Sequence, residues 1–310
     1  MPDYHDEVTR HRKPDWLKIK LHRSEEFGEV ARIVREHGLH TICSSGRCPN
    51  QAECWSRRTA TFMILGDICT RSCKFCATAT GKPLPPDPDE PRKLARSISL
   101  MGLKHCVVTS VDRDDLPDGG AALWAESVRA VRELNPDTTI ELLIPDFDAR
   151  EELIDLVADA RPDILGHNIE TVRRLTPQVR SRARYEVSLR TLAHIARRGL
   201  TAKSGLMVGL GETDEEVLGV LADLAAAGCD IVTIGQYMRP SQKHHPVERY
   251  VHPDIFESYA QKGRELGIPF VFSAPLVRSS YNAEQAYASL LNRQQHMPSE
   301  AAEPRGSEQP

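Results

Sequence analysis

The sequence has 310 residues, of which 40% are hydrophobic and 27% are charged, as in a globular protein with enough chain to bury a sizeable core. Its formal net charge of -4 gives no reason to expect non-specific binding to nucleic acid or to an anionic membrane, so any macromolecular partner must be recognised locally. The first residues lack the apolar stretch of a secretory signal, and no apolar run reaches the roughly 20 residues that span a bilayer. We therefore expect a cytoplasmic protein whose clustered cysteines serve a metal site or catalysis rather than disulfides.

The N-terminal part of the chain is predicted to be irregular. Residues 1 to about 27 are polar and rich in Arg, Lys and His, and a short helix is predicted at 29–36. The stretch 41–58 is dense in Ser, Gly, Pro and Asn, which predicts a long loop, and it carries three cysteines. A loop of this length must be held by something.

From residue 61 onward, short apolar segments alternate with longer helical patterns. Strands are predicted near 61–66, 104–109, 138–144, 163–168, 203–209 and 230–235, with helices between them near 90–102, 120–134, 149–160, 184–198 and 213–227. A helix near 253–266 and a strand at 268–272 follow. This alternation predicts parallel βαβ units with right-handed crossovers. A doubly wound open sheet is the alternative, although no GxGxxG follows the first strand.

The pattern predicts an α/β fold, namely a partial (β/α)6 TIM-type barrel with an N-terminal cysteine-rich extension and a C-terminal extension. We place the N-terminal extension and its cysteine loop at 1–58, the barrel at 59–275 and the C-terminal extension at 276–310. The last residues, from about 293, are rich in Pro, Glu, Gln and Ser and are expected to be disordered.

Cys69, Cys73 and Cys76 form a CxxxCxxC triplet directly after the first predicted strand. In a parallel barrel the loops that follow the strands build the active site. Three thiolates on one short loop can each bind one iron of a [4Fe-4S] cubane, which leaves the fourth iron open to a substrate or cofactor. A zinc site or simple reduced thiols are the alternatives, although no His or Cys in this loop supplies a fourth zinc ligand.

Cys43, Cys48 and Cys54 form a second triplet with the spacing CxxxxCxxxxxC. A second metal site is the economical interpretation, because three cysteines in one polar loop are not expected to be core residues. A disulfide, or a zinc site completed by His40, is the alternative. A cubane here would lack one ligand from this loop.

The CxxxCxxC spacing, with an aromatic residue just before its last cysteine, resembles the signature of radical S-adenosylmethionine enzymes. The run CSSGRCPNQAECW, followed by TATFMILGDICTRSCKFC, narrows the resemblance to the lipoyl synthase family. Further matching segments, in chain order, are GKP, VTSVDRDDLPDGG, GHNIETV, KSGLMVGLGET, IGQYMRPS and APLVRSSY. The resemblance therefore covers nearly the whole chain.

By this resemblance, each triplet binds a [4Fe-4S] cluster, giving two clusters per subunit. The open iron at the CxxxCxxC triplet would bind S-adenosyl-L-methionine, whose reductive cleavage gives methionine and a 5'-deoxyadenosyl radical. The auxiliary cluster at the first triplet would surrender its sulfide, with a serine of RSSY as its remaining ligand, a role that we carry to Ser280. Because RSSY follows the strand at 268–272, we expect Ser280 near the barrel end that carries Cys69.

Polar residues follow several predicted strands on this same side. Asp112, Arg113 and Asp114 follow the second strand and are expected to close the site or contact the substrate, although alone they would indicate a solvated acidic loop. Asn168 and Glu170 are expected to hydrogen-bond S-adenosylmethionine, with helix capping and first-turn charge as the alternative.

Other motifs carry weaker signals. Gly209 and Gly211 allow the backbone to approach a cofactor closely, or form a simple turn. His244 and His245 lie in a polar loop and are a weak metal signal. Cys106 lies within a predicted buried strand and is expected to be a packing residue.

The resemblance implies a sulfurtransferase that inserts two sulfur atoms at C6 and C8 of octanoyl-lysine on a lipoyl carrier domain. The implied partners are octanoylated carrier domains, either the E2 of a 2-oxoacid dehydrogenase or the glycine cleavage H protein. An electron donor such as ferredoxin or flavodoxin and an iron-sulfur carrier would also be needed. Two rivals remain. One is a radical enzyme acting on another substrate, which would not need both the first triplet and Ser280 as cluster ligands. The other is a non-enzymatic iron-sulfur carrier or zinc-binding scaffold.

Overall fold

The computed structural model describes residues 13–18, 24–280 and 289. The strands are β1 (His40–Thr41), β2 (Thr61–Ile64), β3 (Ile68–Cys69), β4 (Ala79–Thr80), β5 (His105–Ser110), β6 (Thr139–Leu143), β7 (Ile164–Gly166), β8 (Thr201–Val208), β9 (Ile231–Gln236) and β10 (Phe270–Ser273). The helices are α1 (Glu25–Glu36), α2 (Ile42–Ser45), α3 (Gln51–Ser56), α4 (Glu90–Met101), α5 (Ala121–Leu134), α6 (Glu151–Ala158), α7 (Thr176–Val179), α8 (Tyr185–Arg197), α9 (Asp214–Ala226) and α10 (Pro253–Glu265), with 3-10 turns at Asp15–Leu17 and Phe147–Ala149.

Eight strands form one sheet in the order β1-β2-β5-β6-β7-β8-β9-β10. Every pair from β2 to β10 is parallel, and only the short β1 runs antiparallel, against β2. The order follows the chain, as expected when each strand is joined to the next by a helix. The predicted partial barrel is therefore confirmed.

Local sequence signals explain where the helices begin and end. Thr213 and Glu216 form a capping box at the start of α9, each side chain accepting a hydrogen bond from the other's backbone N–H. Helix α4 ends at Gly102, whose left-handed φ of 62° favours a residue without a side chain. Each barrel helix turns an apolar face to the sheet, and Trp124 of α5 is fully buried there.

The prediction of a loop at 41–58 was wrong in detail, because α2 and α3 occupy parts of it. Helices this short gain little from their own hydrogen bonds and depend on tertiary packing, so the pattern of the sequence does not reveal them. The predicted disorder beyond residue 293 lies outside the described residues. In the described part of the chain, no helix has the length and apolar character needed to cross a membrane.

Candidate active site

The CxxxCxxC loop leaves β2 at the carboxyl end of the sheet and is held on several sides. Thr70 donates its backbone N–H to the Asp112 carbonyl over 3.1 Å, and Lys74 donates to the Val179 carbonyl over 2.7 Å. Gly81 closes the base of the loop by donating to the Cys69 carbonyl. These bonds join the loop to the segments that follow β5 and β7, so the three cysteines are fixed at the barrel mouth.

Arg71, inside the cysteine motif, is the hub of this arrangement. Its buried guanidinium makes two-pronged contacts with Asp114 and with Asp146, and it lies 3.4 Å from a carboxylate oxygen of Asp112. The guanidinium holds the pKa of Asp146 well below its usual range, against the effect of burial. Arg71 thus fastens the loop to the ends of β5 and β6.

The thiols of this triplet share one electrostatic environment. Burial, together with the Asp112 carboxylate and the Cys76 thiol, raises the pKa of Cys69 to about 12. Burial also raises the pKa values of Cys73 and Cys76. Thiolates at these positions therefore need a positive partner, and iron supplies one.

The backbone around Cys69 also suits a bound sulfur ligand. The N–H groups of Arg71 and Asp112 point at its sulfur over 3.4 and 3.3 Å. Such N–H···S bonds stabilise cluster thiolates. The residues present thus fit a cluster held by this triplet.

The Asp112–Asp114 segment divides into two kinds of residue. Asp112 places a carboxylate oxygen 3.7 Å from the Cys69 sulfur, and burial raises its pKa although Arg71 and Arg180 act in the opposite direction. Arg113 is 2% exposed and bonds Asp115 and the carbonyls of Leu65 and Leu84, so its contacts are those of a structural residue. The predicted roles of all three in closing the site stay predictions.

Asn168 and Glu170 follow β7 and face each other, with the Asn168 amide donating to a Glu170 carboxylate oxygen over 3.1 Å. Glu170 has a left-handed φ of 68°, which is strained for a residue with a side chain and is typical of functional sites. Burial raises the pKa of Glu170, and the Glu170 carboxylate in turn raises the pKa of the Cys76 thiol. Glu170 therefore lies close to the CxxxCxxC loop with Asn168 beside it, and the hydrogen bonds of both to S-adenosylmethionine stay a prediction.

Arg180 is a residue of this site that the sequence did not reveal. It is buried, donates to the Ser188 hydroxyl over 3.0 Å, and acts electrostatically on Cys73 and Glu170. Its Nε has no hydrogen-bond partner among the described residues. Arg180 therefore adds a buried positive charge beside the cysteine loop.

Gly209 and Gly211 have left-handed φ values of 99° and 110°. A Cβ on Gly209 would lie 2.4 Å from the Arg249 carbonyl, and Glu212 caps the turn by accepting from the N–H groups of Gly209 and Leu210. Tight packing alone explains this glycine, and a contact with the cofactor stays a prediction.

His244 and His245 lie in the segment after β9 and contact the CxxxCxxC loop. The His244 Nε2 donates to the Cys76 carbonyl over 2.9 Å, and the His245 backbone N–H donates to the Lys74 carbonyl over 2.9 Å. The two histidines therefore hold the loop by hydrogen bonds.

The first triplet lies at the amino end of β2. Burial, together with the neighbouring Cys43 and Cys48 thiols, raises the pKa of Cys54 to about 12. Burial raises the pKa of Cys43 as well, while the nearby Trp55 N–H and Thr61 hydroxyl lower it. The Trp55 N–H is buried and has no hydrogen-bond acceptor with good geometry among the described residues, so a cluster sulfur would satisfy it. These residues also fit an iron-sulfur cluster.

Ser280 reaches this first triplet from the other end of the chain. After β10 the segment 274–280, here named the strap, turns back, and Thr61 donates to the Ser280 hydroxyl over 2.8 Å. The Asn50 amide joins the strap to the loop of the first triplet by donating to the Leu276 carbonyl over 2.7 Å. The strap leaves β10 at the expected barrel end, but Ser280 itself lies at the first residue of β2.

All eight cysteines are free thiols. Among the described residues, no three His, Cys, Asp or Glu side chains converge as a single metal ion requires. A cubane spreads its iron atoms over its corners, so its ligands are spaced around it rather than directed at one point.

Comparisons with known proteins decide the family. A model of the Radical SAM superfamily matches residues 63–224. The lipoyl synthase of Parabacteroides distasonis is 60% identical over 274 residues, covering 88% of this chain and 98% of that protein. That of Bacteroides thetaiotaomicron is 60% identical over 278 residues, covering 90% and 99%. The chain belongs to the lipoyl synthase family.

Solved structures agree at the level of the fold. SuiB of Streptococcus suis bound to S-adenosylmethionine superposes with a TM-score of 0.56 at 11% identity, over 72% of this chain. The chain spans about half of that protein, 54% of its length, so the likeness shows the radical SAM fold alone. For a lipoyl synthase family member the cofactors are S-adenosyl-L-methionine and [4Fe-4S] clusters.

Proposed function

We propose that this chain inserts two sulfur atoms at C6 and C8 of an octanoyl chain attached to a lysine of a lipoyl carrier domain, giving the lipoyl cofactor. The observation that carries the proposal is the pair of cysteine triplets at opposite ends of β2, in a chain 60% identical to curated lipoyl synthases. A radical enzyme acting on another substrate would not need both the first triplet and Ser280 as cluster ligands.

In this proposal Cys69, Cys73 and Cys76 would hold a [4Fe-4S] cluster, which would supply the electron for the reductive cleavage of S-adenosylmethionine. Asn168 and Glu170 bind and orient the cosubstrate. The buried charge of Arg180 favours the carboxylate end of S-adenosylmethionine in the same place. Asp112 and Asp114 hold the loop through Arg71 and help to exclude water from the radical.

Cys43, Cys48, Cys54 and Ser280 hold the auxiliary cluster, which serves as the sulfur donor. An alkoxide oxygen is a harder ligand than a thiolate and leaves iron more readily, which suits a cluster that is dismantled during turnover. Thr61 supports this assignment, since its hydroxyl lies next to both Ser280 and Cys43.

The proposed division of the chain is an N-terminal extension with the auxiliary-cluster cysteines at 1–58, a radical barrel at 59–275 and a C-terminal extension at 276–310. The proposed substrates are octanoylated carrier domains, the 2-oxoacid dehydrogenase E2 or the glycine cleavage H protein. Ferredoxin or flavodoxin would supply electrons, and an iron-sulfur carrier would rebuild the auxiliary cluster. Free, clustered thiols support a reducing, cytoplasmic location.

The test is anaerobic reconstitution with iron and sulfide, followed by incubation with S-adenosylmethionine, dithionite and an octanoyl-lysine peptide. Mass spectrometry should find a peptide that has gained two sulfur atoms, together with 5'-deoxyadenosine. Formation of 5'-deoxyadenosine without any change in the peptide would refute the substrate assignment.

Three cysteine variants separate the two sites. Cys69→Ala should abolish both products, whereas Cys43→Ala should still form 5'-deoxyadenosine and lose sulfur insertion. Cys106→Ala is the matched control, because Cys106 is a fully buried cysteine within β5 and belongs to neither triplet. It should retain both activities.

A further inference from the structure

The three segments that meet at the CxxxCxxC loop have an unusual charge. Residues 70–83, 176–184 and 237–247 together contain eight Lys and Arg residues and no Asp or Glu, in a chain with 40 basic and 44 acidic residues. Six of the eight side chains are exposed, and we name them the basic rim: Lys74, Lys82, Arg182, Arg184, Arg239 and Lys243.

Hydrogen bonds bring the three segments together. Lys74 donates its backbone N–H to the Val179 carbonyl over 2.7 Å, and its own carbonyl accepts from the His245 N–H over 2.9 Å. The Ser72 N–H donates to the Ser181 hydroxyl over 3.0 Å. The three segments that carry the basic residues therefore meet at this one loop.

Few of these charges are neutralised within the protein. Of the rim residues, Arg182 forms ion pairs, with Asp114 and Asp148, and no ion pair joins the other five to a described residue. Several exposed charges of one sign raise the local potential even when the net charge of the protein has the opposite sign. The rim is thus positive on a protein whose net charge is -4.

The rim also lies where an electron must enter. Cys73 is flanked in sequence by Ser72 and Lys74, which are both exposed, so a cluster bound to Cys73 would lie just beneath this surface. Each cleavage of S-adenosylmethionine consumes one electron, which a protein donor can deliver only by close approach.

We propose that the basic rim is the docking surface for an acidic one-electron redox protein, an inference that rests on the proposed function. One electron leaves the donor, which is oxidised, and reduces the site held by Cys69, Cys73 and Cys76. No bond forms or breaks at the surface. The lipoyl carrier is the less favoured occupant, because its acyl chain must also reach the first triplet, at the opposite end of β2 from the rim.

The experiment compares two reductants on the reconstituted full-length enzyme, with initial 5'-deoxyadenosine formation as the readout. Lys82→Glu/Lys243→Glu reverses two rim charges outside the cysteine motif. Arg92→Glu/Arg96→Glu makes the same change in net charge on the exposed side of α4 and is the matched control. Reduced flavodoxin tests docking, whereas dithionite is small and needs no docking surface.

With flavodoxin at low ionic strength, the rim variant should be slower than wild type by about tenfold, and the control variant by less than about twofold. All three should agree within about twofold with dithionite. Added salt should slow the flavodoxin reaction of wild type, because salt screens the attraction between the rim and the acidic donor. The reaction of the rim variant should stay nearly unchanged, because that attraction is already lost.

Equal flavodoxin rates for wild type and the rim variant would overturn the proposal. A second outcome would also overturn it. If the rim variant, driven by dithionite, lost activity on the whole carrier domain but not on the octanoyl peptide, the rim would bind the substrate rather than the electron donor. If the first rim variant failed to retain iron, Lys82→Glu/Arg184→Glu decides by the same criteria. Absence of sulfur insertion in wild type with dithionite would instead refute the proposed function.

Discussion

Ser280 is the residue whose assignment depends most on three-dimensional contact. In the sequence it is one of two adjacent serines, and only the family resemblance distinguished it. In the structure its hydroxyl accepts from Thr61, which also lies beside Cys43, so an oxygen ligand is available next to three thiols.

We expect Ser280→Ala to lose sulfur insertion by about 100-fold, because loss of a direct ligand should cost at least as much as loss of an outer-shell partner. Formation of 5'-deoxyadenosine should persist, since the CxxxCxxC loop is untouched. The measurement is the ratio of inserted sulfur to 5'-deoxyadenosine, with Ser279→Ala as the neighbouring control. Equal losses in the two variants would reject Ser280 as the ligand.

At this scale the cysteines were predictable and their supports were not. Regular spacing within a short stretch marks a metal loop, so both triplets could be found in the sequence. Arg71 and Asp146 are separated by 75 residues, and Asn50 and the Leu276 carbonyl by 226. Contacts at such separations leave no local pattern, so these residues could be recognised only after folding.

At the scale of the elements, the strap is joined to the loop of the first cysteine triplet through Asn50. Asn50 is 2% exposed, and its side-chain amide donates a hydrogen bond to the Leu276 carbonyl. Removing the amide leaves the partly buried Leu276 carbonyl without its donor, which costs about 1–2 kcal/mol.

Asn50→Ala should therefore lower auxiliary-site iron and sulfur insertion by about tenfold while 5'-deoxyadenosine formation stays near wild type. Asn135→Ala is a matched control, because the Asn135 amide bonds the Ala95 carbonyl over 3.0 Å, far in sequence from either triplet. Iron content and product ratio measured on both variants decide the matter. If the control lost as much auxiliary iron as Asn50→Ala, general destabilisation would explain the effect.

The barrel strands and helices were predicted to within a few residues, because apolar strands and amphipathic helices of this length carry strong periodic signals. For example, α9 was expected at 213–227 and spans Asp214–Ala226. The two-residue strands β1, β3 and β4 and the four-residue α7 were missed. Their few hydrogen bonds are secured by neighbouring segments rather than by their own sequences.

For the whole molecule, a neutral buried histidine links stability to pH. Burial and the Arg180 guanidinium lower the pKa of His167 to about 4, although Asp146 acts in the opposite direction. Its Nδ1 donates to the Ile144 carbonyl and its Nε2 accepts from the Ser188 hydroxyl, which itself accepts from Arg180. The folded state therefore holds the uncharged ring.

Because the unfolded chain binds a proton near pH 6.5 and the folded state does not, stability falls as the pH drops from about 6.5 toward 4. Between pH 7 and 5 this histidine should cost about 2 kcal/mol of unfolding free energy. Urea unfolding of the cluster-free protein measures it. The same experiment on His167→Gln should show a loss smaller by about that amount, and identical pH dependences would contradict the assignment.

The two sulfur-bearing loops leave opposite ends of one four-residue strand, β2. A strand rises about 3.3 Å per residue, so β2 spans roughly 10 Å between its two ends, where the proposed auxiliary-cluster triplet and the proposed radical-forming triplet lie. Inserting one residue would lengthen this strand and also turn Thr61 to the opposite face of the sheet, away from Ser280. In the proposed mechanism, the length of this one strand therefore determines both the separation of the two triplets and the position of Thr61 beside Ser280.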